Sequence, residues 1–121
     1  MNEKIKKFYE IATDWYIPRK GFTIIRLNGD EFQPFIESLD KPWDEDFLFI
    51  MKGVTDYLCK KIPGAKFAFT HFDEISILLE DLEDNFWLDG NIQKIASVSS
   101  SMATFAFTEG MRTLEKNKFF N

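Results

Sequence analysis

The sequence has little of what metal centres and disulfide-stapled proteins are built from. Its 121 residues include one cysteine and one histidine. The single thiol, Cys59, has no partner for an internal disulfide, and one cysteine with one histidine argues against a zinc site. We therefore expect a reducing compartment, the cytoplasm by default.

Long apolar runs are also absent. No stretch approaches the roughly 20 apolar residues that a membrane-spanning helix needs. The opening segment, MNEKIKKFYE, is charged from its third residue. We therefore expect neither a signal peptide nor a membrane span.

Positive charge is in short supply as well. Lysine and arginine number 15 against 20 aspartates and glutamates, so the net charge is −5. A negatively charged molecule repels nucleic acid as a whole, and any RNA contact would need a local basic patch. The composition therefore argues against non-specific binding of DNA or RNA.

The chain does contain ample material for one hydrophobic core. Apolar residues make up 45% of it, and 14 of them are phenylalanine. A chain of this length is a typical single domain. We expect residues 1–121 to form one domain that folds alone.

The periodicity of apolar residues predicts helices and strands in the order α, β, α, β, β, α, with the start of a last strand at the end. Pro18 and Gly21 separate the first helix from the first strand, and Pro63-Gly64 ends the second helix. The predicted elements span residues 3–15, 22–27, 42–61, 66–71, 74–80, 91–110 and 116–121.

Two acidic turns stand out in this pattern. The β-branched run Thr23, Ile24, Ile25 stops at Asn28-Gly29, which the acids Asp30 and Glu31 follow. The second turn, Asp73-Glu74, lies between the two strands of the predicted hairpin. Asn-Gly after a strand and acids in a hairpin turn are also ordinary turn chemistry. If one fold brings the two turns together, their oxygens suit a divalent cation and a phosphate.

Without its first helix, the predicted order is βαββα(β). This is the split βαβ arrangement of ferredoxin-like domains, in which the first and third strands are neighbours. The fold class expected is therefore α+β and ferredoxin-like over residues 22–121, a topology that the palm domains of many polymerases and cyclases share; fold alone does not give function. Residues 3–15 add an N-terminal helix, and the fourth strand is incomplete or short.

Four motifs in order resemble the catalytic palm of tRNA-histidine guanylyltransferases. They are RLNGDEF at residues 26–32, KPWDEDF at 41–47, FDEISILLE at 72–80 and LDGNIQKIASVSSSMATFAF at 88–107. The family pattern reads R-x-D-G-x-x-F, K-P-x-D-E, S-D-E-x-S and a glycine-led helix near Q-K-x-x-S. The resemblance implies a polymerase that works in the 3′–5′ direction and adds nucleotides to the 5′ end of tRNA.

The resemblance also implies a site. The family's metal ligands fall on Asn28, the carbonyl of Gly29 and Asp73, between which two Mg²⁺ ions would be held. Asp73, Glu74 and Asn28 would be the catalytic residues. The nucleoside triphosphate, GTP or ATP, would lie on the turn and the motif after it, and the residues implied are Asp30, Glu31, Phe32, Lys41 and Asp44.

Several positions depart from the family pattern. Asn28 stands where the family has an aspartate, Asp30 where it usually has a basic residue, and Phe72 where it has a serine. An amide oxygen carries no charge, so Asn28 would weaken a two-metal site. The family pattern continues with a motif containing histidine and asparagine and with a tRNA-contacting helical arm, and this sequence contains neither.

Three hypotheses remain open at this point. The chain is a Mg²⁺-dependent nucleotidyltransferase with impaired activity, or a catalytically degenerate palm that binds nucleotide or RNA, or a scaffold that only binds other proteins. The resemblance suggests tRNA as a partner and association into homo-oligomers.

Overall fold

The computed structural model describes residues 2–18, 20–30, 45–80 and 86–120. Three helices and three strands occur there, in an order close to the predicted one. The elements are α1 (Glu3–Thr13), β1 (Phe22–Asn28), α2 (Glu45–Lys61), β2 (Ala65–His71), β3 (Glu74–Glu80), a 3₁₀ turn (Trp87–Gly90) and α3 (Ile92–Phe120).

The strands form one antiparallel sheet in the order β1-β3-β2. Because β3 lies between β1 and β2, the unit β1-α2-β2 is split by an inserted strand. This is the ferredoxin-like arrangement that the sequence predicts, and β1 and β3 are neighbours as expected. The hairpin of β2 and β3 is also confirmed, with His71 opposite Glu74 at its closed end.

Helix α2 has the features that the sequence predicts for it. Glu45 and Asp46 occupy its first turn, and Lys60 and Lys61 its last, so both ends carry charges that favour the helix dipole. The apolar stripe of the sequence is the buried face of the helix. Its buried members include Phe47, Ile50, Met51, Val54 and Leu58.

The core lies on one face of the sheet. Strand β3 alternates strictly, with Ile75, Ile77 and Leu79 buried and the residues between them only partly so. Those three side chains point towards the helices, since alternate residues of a strand face the same side. On the opposite face of the sheet, Phe22, Ile24, Phe67 and Phe69 are exposed.

The last helix corrects the sequence-based expectation. A helix over residues 91–110 followed by a strand at 116–121 was wrong, because α3 continues through Gly110 to Phe120. A Cβ atom on Gly110 would lie 3.0 Å from Cγ2 of Ile50. This glycine therefore permits a close approach of α3 to α2 and does not end the helix.

No helix in the described ranges combines the length and hydrophobicity needed to cross a bilayer.

Helix α1 is shorter than predicted, ending at Thr13 and not at residue 15. The side chain of Asn2 caps it by accepting a hydrogen bond from the Lys4 amide at 3.0 Å. After it, Tyr16 forms an antiparallel bridge with Asn91. The start of α3 thus fixes the segment that follows α1.

The backbone conformation at position 64, just after α2, requires glycine. Its φ is +85°, and an added Cβ would lie 2.8 Å from the carbonyl oxygen of Glu80, which is backbone and cannot move aside. We expect Gly64→Ala to lower the free energy of unfolding by about 1–3 kcal/mol. Chemical denaturation measures this.

Gly53 provides the matched control. It lies inside α2 with no heavy atom within 4 Å of a built Cβ. Gly53→Ala should raise the free energy of unfolding by roughly 0.5–1 kcal/mol. Changes of equal sign in the two variants would contradict this description of the turn.

Candidate functional site

The two acidic turns meet at one edge of the sheet. The register of β1 and β3 places Asn28 opposite Glu74. Beyond this pair, the amide of Gly29 donates a hydrogen bond to the carbonyl oxygen of Asp73 at 3.1 Å. The end of β1 and the β2–β3 turn are therefore joined directly, as the sequence predicted.

The β2–β3 turn is tight. Only Phe72 and Asp73 lie between the two strands, and Phe72 has a φ of +54°. A left-handed residue in a two-residue loop matches the twist of the flanking strands. The turn thereby places Asp73 beside Gly29.

A cavity of about 550 Å³ opens at this edge. Its volume lies within the range of about 300–1,000 Å³ that small-molecule sites occupy. The sheet edge and the two long helices both contribute to it. Its lining residues are Arg26, Leu27, Asn28, Gly29, Asp30, Met51, Val54, Asp73, Ile75, Ser100, Ala103, Thr104 and Phe107.

The two sides of the cavity differ in chemistry. The turns contribute oxygen atoms, whereas α2 and α3 contribute mainly apolar side chains. The exceptions on α3 are Ser100 and Thr104, whose hydroxyls donate to the carbonyls of Ala96 and Ser100 at 2.7 and 2.9 Å. Their protons are used within the helix, so both hydroxyls are left with acceptor capacity.

Arg26 connects the sheet edge to the second turn. Its Nη2 donates to both carboxylate oxygens of Glu74 at 3.1 Å. The two side chains are 63% and 39% exposed, so the ion pair contributes at most about 1 kcal/mol to stability. Its main effect is to fix the position of the Glu74 carboxylate beside the Arg26 guanidinium.

Comparison with known proteins identifies the family. The sequence model described as tRNAHis guanylyltransferase (Thg1) matches residues 2–120. The chain belongs to the Thg1 family. The resemblance seen in the four sequence motifs is therefore confirmed over almost the whole chain.

Solved structures in the Thg1 family have the same fold. One, a bacterial tRNAHis guanylyltransferase (Thg1)-like protein in complex with GTP, is 37% identical with a TM-score of 0.86; the match covers 91% of this chain and 54% of that one. A structure of such a bacterial protein in complex with ATP is 36% identical with a TM-score of 0.87, covering 93% and 50%.

One curated protein is also similar. Uncharacterized protein R259 of Acanthamoeba polyphaga mimivirus is 28% identical over 126 residues, which cover 97% of this chain and 42% of that protein. The chain thus spans about half the length of these similar proteins.

The structure brings together most of the residues that the first Thg1 motif and the hairpin motif pointed to. Asn28, Gly29, Asp30 and Asp73 all line the cavity. Glu74 lies next to them on the strand and is bonded to Arg26. The other predicted nucleotide-binding residues lie outside the described part of the chain; they are Glu31, Phe32, Lys41 and Asp44.

The helical wall of the cavity was missed at the sequence level. The predicted site residues include none from α2 or α3, and Met51 lines the cavity while also belonging to the buried core. A signal was present, because Ser100, Ala103, Thr104 and Phe107 recur at helical spacing. The spacing of these residues predicts that they share one face of a helix, but it does not predict that this face lines a cavity.

The donor atoms at the turns are of the kind that Mg²⁺ prefers. The Asn28 amide, the Gly29 carbonyl and the Asp73 carboxylate all offer oxygen. In the described ranges, however, no group of three His, Cys, Asp or Glu side chains is placed to hold a metal ion. The residues therefore fit an ion that arrives with phosphate and keeps several waters, a common form of Mg²⁺ binding.

Proposed function

We propose that this chain binds a nucleoside triphosphate, GTP or ATP, together with Mg²⁺ in the cavity between its two acidic turns. We further propose that it is a Thg1-like nucleotidyltransferase that adds nucleotides in the 3′–5′ direction to tRNA 5′ ends, with activity reduced by Asn28. The observation that carries the proposal is the hydrogen bond between Gly29 and Asp73, which both line the cavity of about 550 Å³.

Different atoms of the turn residues would bind the phosphates and the metal ion. The Gly29 amide is already used by the Asp73 carbonyl, so amides that cradle phosphate begin at Asp30. The Asp30 side chain is exposed, and water screens its repulsion of the phosphates. The Gly29 carbonyl and the Asp73 carboxylate would hold Mg²⁺.

Bound Mg²⁺ would neutralise phosphate charge and stabilise the charge that develops during transfer. The residues of the chain would position the nucleotide and shield it from water. Met51, Val54 and Phe107 exclude water from one side of the cavity, which strengthens electrostatic interactions at the turns. The acceptor oxygens of Ser100 and Thr104 suit an amino or hydroxyl group of the nucleoside.

A second candidate function is binding of nucleotide without turnover. It is favoured by one observation: only one of the three proposed metal ligands, Asp73, is a carboxylate, because Asn28 replaces the aspartate of the Thg1 motif. Two-metal transfer places both ions roughly 3.5–4 Å apart, and a single carboxylate compensates their charge poorly. An inactive palm would keep the cavity and bind nucleotide in it without catalysing transfer.

Titration with nucleotide tests both candidates. We expect GTP and ATP to raise the melting temperature only when Mg²⁺ or Mn²⁺ is present, because the phosphates and Asp73 would share the ion. At ten times the dissociation constant the stabilisation is about 1.4 kcal/mol, or roughly 3–6 °C for a chain of this size.

The controls distinguish the contributions of the phosphates, the nucleoside and the metal ion to binding. Guanosine lacks phosphate and should produce no metal-dependent shift, while metal alone should bind weakly. Absence of heat and of any thermal shift at millimolar GTP and ATP with Mn²⁺ would remove both candidate functions. Extension of a 5′-truncated tRNA by the same preparation then distinguishes the enzyme from the binder.

A further inference from the structure

The helical wall of the cavity is apolar except at two side chains. Helices α2 and α3 contribute two residues with hydroxyls and four apolar ones: Ser100, Thr104, Met51, Val54, Ala103 and Phe107. Residues four apart are neighbours on a helix surface, with Cβ atoms roughly 5–6 Å apart. Ser100 and Thr104, which we call the hydroxyl pair, are therefore adjacent polar groups in an otherwise apolar wall.

The hydroxyl pair offers a ligand acceptors only. The Ser100 hydroxyl donates to the Ala96 carbonyl at 2.7 Å, and the Thr104 hydroxyl donates to the Ser100 carbonyl at 2.9 Å. A hydroxyl has a single proton and two lone pairs, so these bonds use both protons and leave both oxygens able to accept. Two donor hydrogens on a ligand would match the pair.

The proposed pose of the nucleotide brings its base to this wall. The phosphates and Mg²⁺ would lie at Gly29, Asp30 and Asp73, on the sheet edge of the cavity. The ribose follows the phosphates directly, so the base is the part of the nucleotide farthest from the turns. The lining that remains for the base is the wall formed by α2 and α3.

The apolar residues of the wall suit a base without distinguishing one base from another. Met51 and Val54 are each 3% exposed and belong to the core. The ring of Phe107 is held by an edge-to-face contact with Phe47, with the ring centroids 6.4 Å apart. Aromatic rings stack on any base, since every base has a π-face. Discrimination between bases therefore requires the polar groups of the wall.

We propose, on the basis of the nucleotide binding proposed above, that Ser100 and Thr104 select the nucleotide by accepting hydrogen bonds from an exocyclic amino group of its base. Guanine offers its 2-amino group beside its ring N1–H, and adenine offers both hydrogens of its 6-amino group. Hypoxanthine, the base of inosine triphosphate (ITP), lacks both amino groups and offers only N1–H. One hydroxyl of the pair then has no donor from the base.

Three triphosphates measure this selection in the wild-type chain. By calorimetric titration with Mn²⁺ present, ITP should bind about 3- to 10-fold more weakly than GTP, ATP or both, the effect of one neutral hydrogen bond. A preference for GTP over ITP identifies the 2-amino group, and a preference for ATP over ITP identifies the 6-amino group. Equal binding of all three overturns the proposal. Binding of none removes the proposed function and the selection with it.

Two double variants assign the preference to the hydroxyl pair. Ser100→Ala with Thr104→Val removes both acceptor oxygens, and the affinities for ITP and for the preferred nucleotide should then agree within about twofold. Ser100→Thr with Thr104→Ser keeps both hydroxyls and should keep the preference. A preference that survives the first variant, or that is lost in the second, overturns the proposal.

The same helix provides a matched control. Ser101 and Thr113 make the same kind of bond, to the Ser97 and Glu109 carbonyls at 2.9 Å, and neither residue lines the cavity. Ser101→Ala with Thr113→Val should leave the preference over ITP unchanged, and circular dichroism verifies that the helix forms in every variant. Loss of the preference in this control would make it a property of the helix as a whole and overturn the proposal.

A ribose hydroxyl is the competing donor for the pair. The 2′-hydroxyl can donate a hydrogen bond, and GTP differs from 2′-deoxy-GTP only by this group. We expect Ser100→Ala with Thr104→Val to leave the ratio of these two affinities unchanged. A preference for GTP over 2′-deoxy-GTP that disappears in this variant, with no change in the preference over ITP, would assign the pair to the ribose and overturn the proposal.

Discussion

Asp73→Asn is expected to abolish metal-dependent nucleotide binding. Asp73 is the one carboxylate among the three proposed metal ligands, and its replacement leaves only neutral oxygens at the turn. Any tRNA-extension activity should fall at least about a hundredfold, the scale seen when one preorganised electrostatic group is removed. The metal-dependent thermal shift with GTP should disappear.

The substitution leaves the turn itself in place. The Gly29 amide bonds to the backbone carbonyl of Asp73, which asparagine retains. Asp56→Asn is a suitable control, since Asp56 lies on α2 in an exposed pair with Lys60. A metal-dependent shift that survives in Asp73→Asn, or that is lost equally in Asp56→Asn, would place the site elsewhere.

Asn28→Asp is expected to strengthen metal binding. A unit charge about 4 Å away contributes about 1 kcal/mol in water, and a divalent ion doubles this, so Mn²⁺ affinity in the presence of GTP should rise on the order of tenfold or more. If the chain is an enzyme impaired by Asn28, extension of 5′-truncated tRNA should rise in parallel.

The same change should cost stability when no metal is present. Residue 28 lies directly opposite Glu74 on β3, and like charges in opposing positions of a strand pair repel each other. The variant should therefore melt below the wild type without metal and gain more than the wild type when Mn²⁺ and GTP are added.

Asn2→Asp provides the same chemical change away from the site. Asn2 caps α1, where aspartate is equally acceptable, and Mn²⁺ affinity should not change. Unchanged Mn²⁺ affinity in Asn28→Asp as well would count against Asn28 as a metal ligand.

The elements with strong local signals were predictable from the sequence. Helix α2 had acids at its start, an apolar stripe and Pro63-Gly64 at its end, and the structure has it at Glu45–Lys61. The hairpin followed from two alternating runs separated by two residues. The meeting of Gly29 with Asp73 then followed from the topology, because β1 and β3 are neighbours in a split βαβ unit.

The errors came from tertiary packing. The predicted helix ended at Gly110, yet this glycine lies where α3 approaches Ile50. The sequence alone does not distinguish a glycine that ends a helix from one that permits close helix packing. The apolar spacing continues past it through Met111 and Leu114, which pack against the core. The helical wall of the cavity was missed for a related reason: sequence spacing does not show which side chains a second element leaves uncovered.

The most direct measurement is paramagnetic broadening in an amide NMR spectrum of the labelled chain with GTP and substoichiometric Mn²⁺. If both turns hold one nucleotide-bound ion, the signals of Gly29, Asp30 and Asp73 should broaden together while those of α1 remain sharp, and Asp73→Asn should remove the effect. Broadening confined to one turn, or strongest far from both, would contradict a shared metal and nucleotide site at this edge of the sheet.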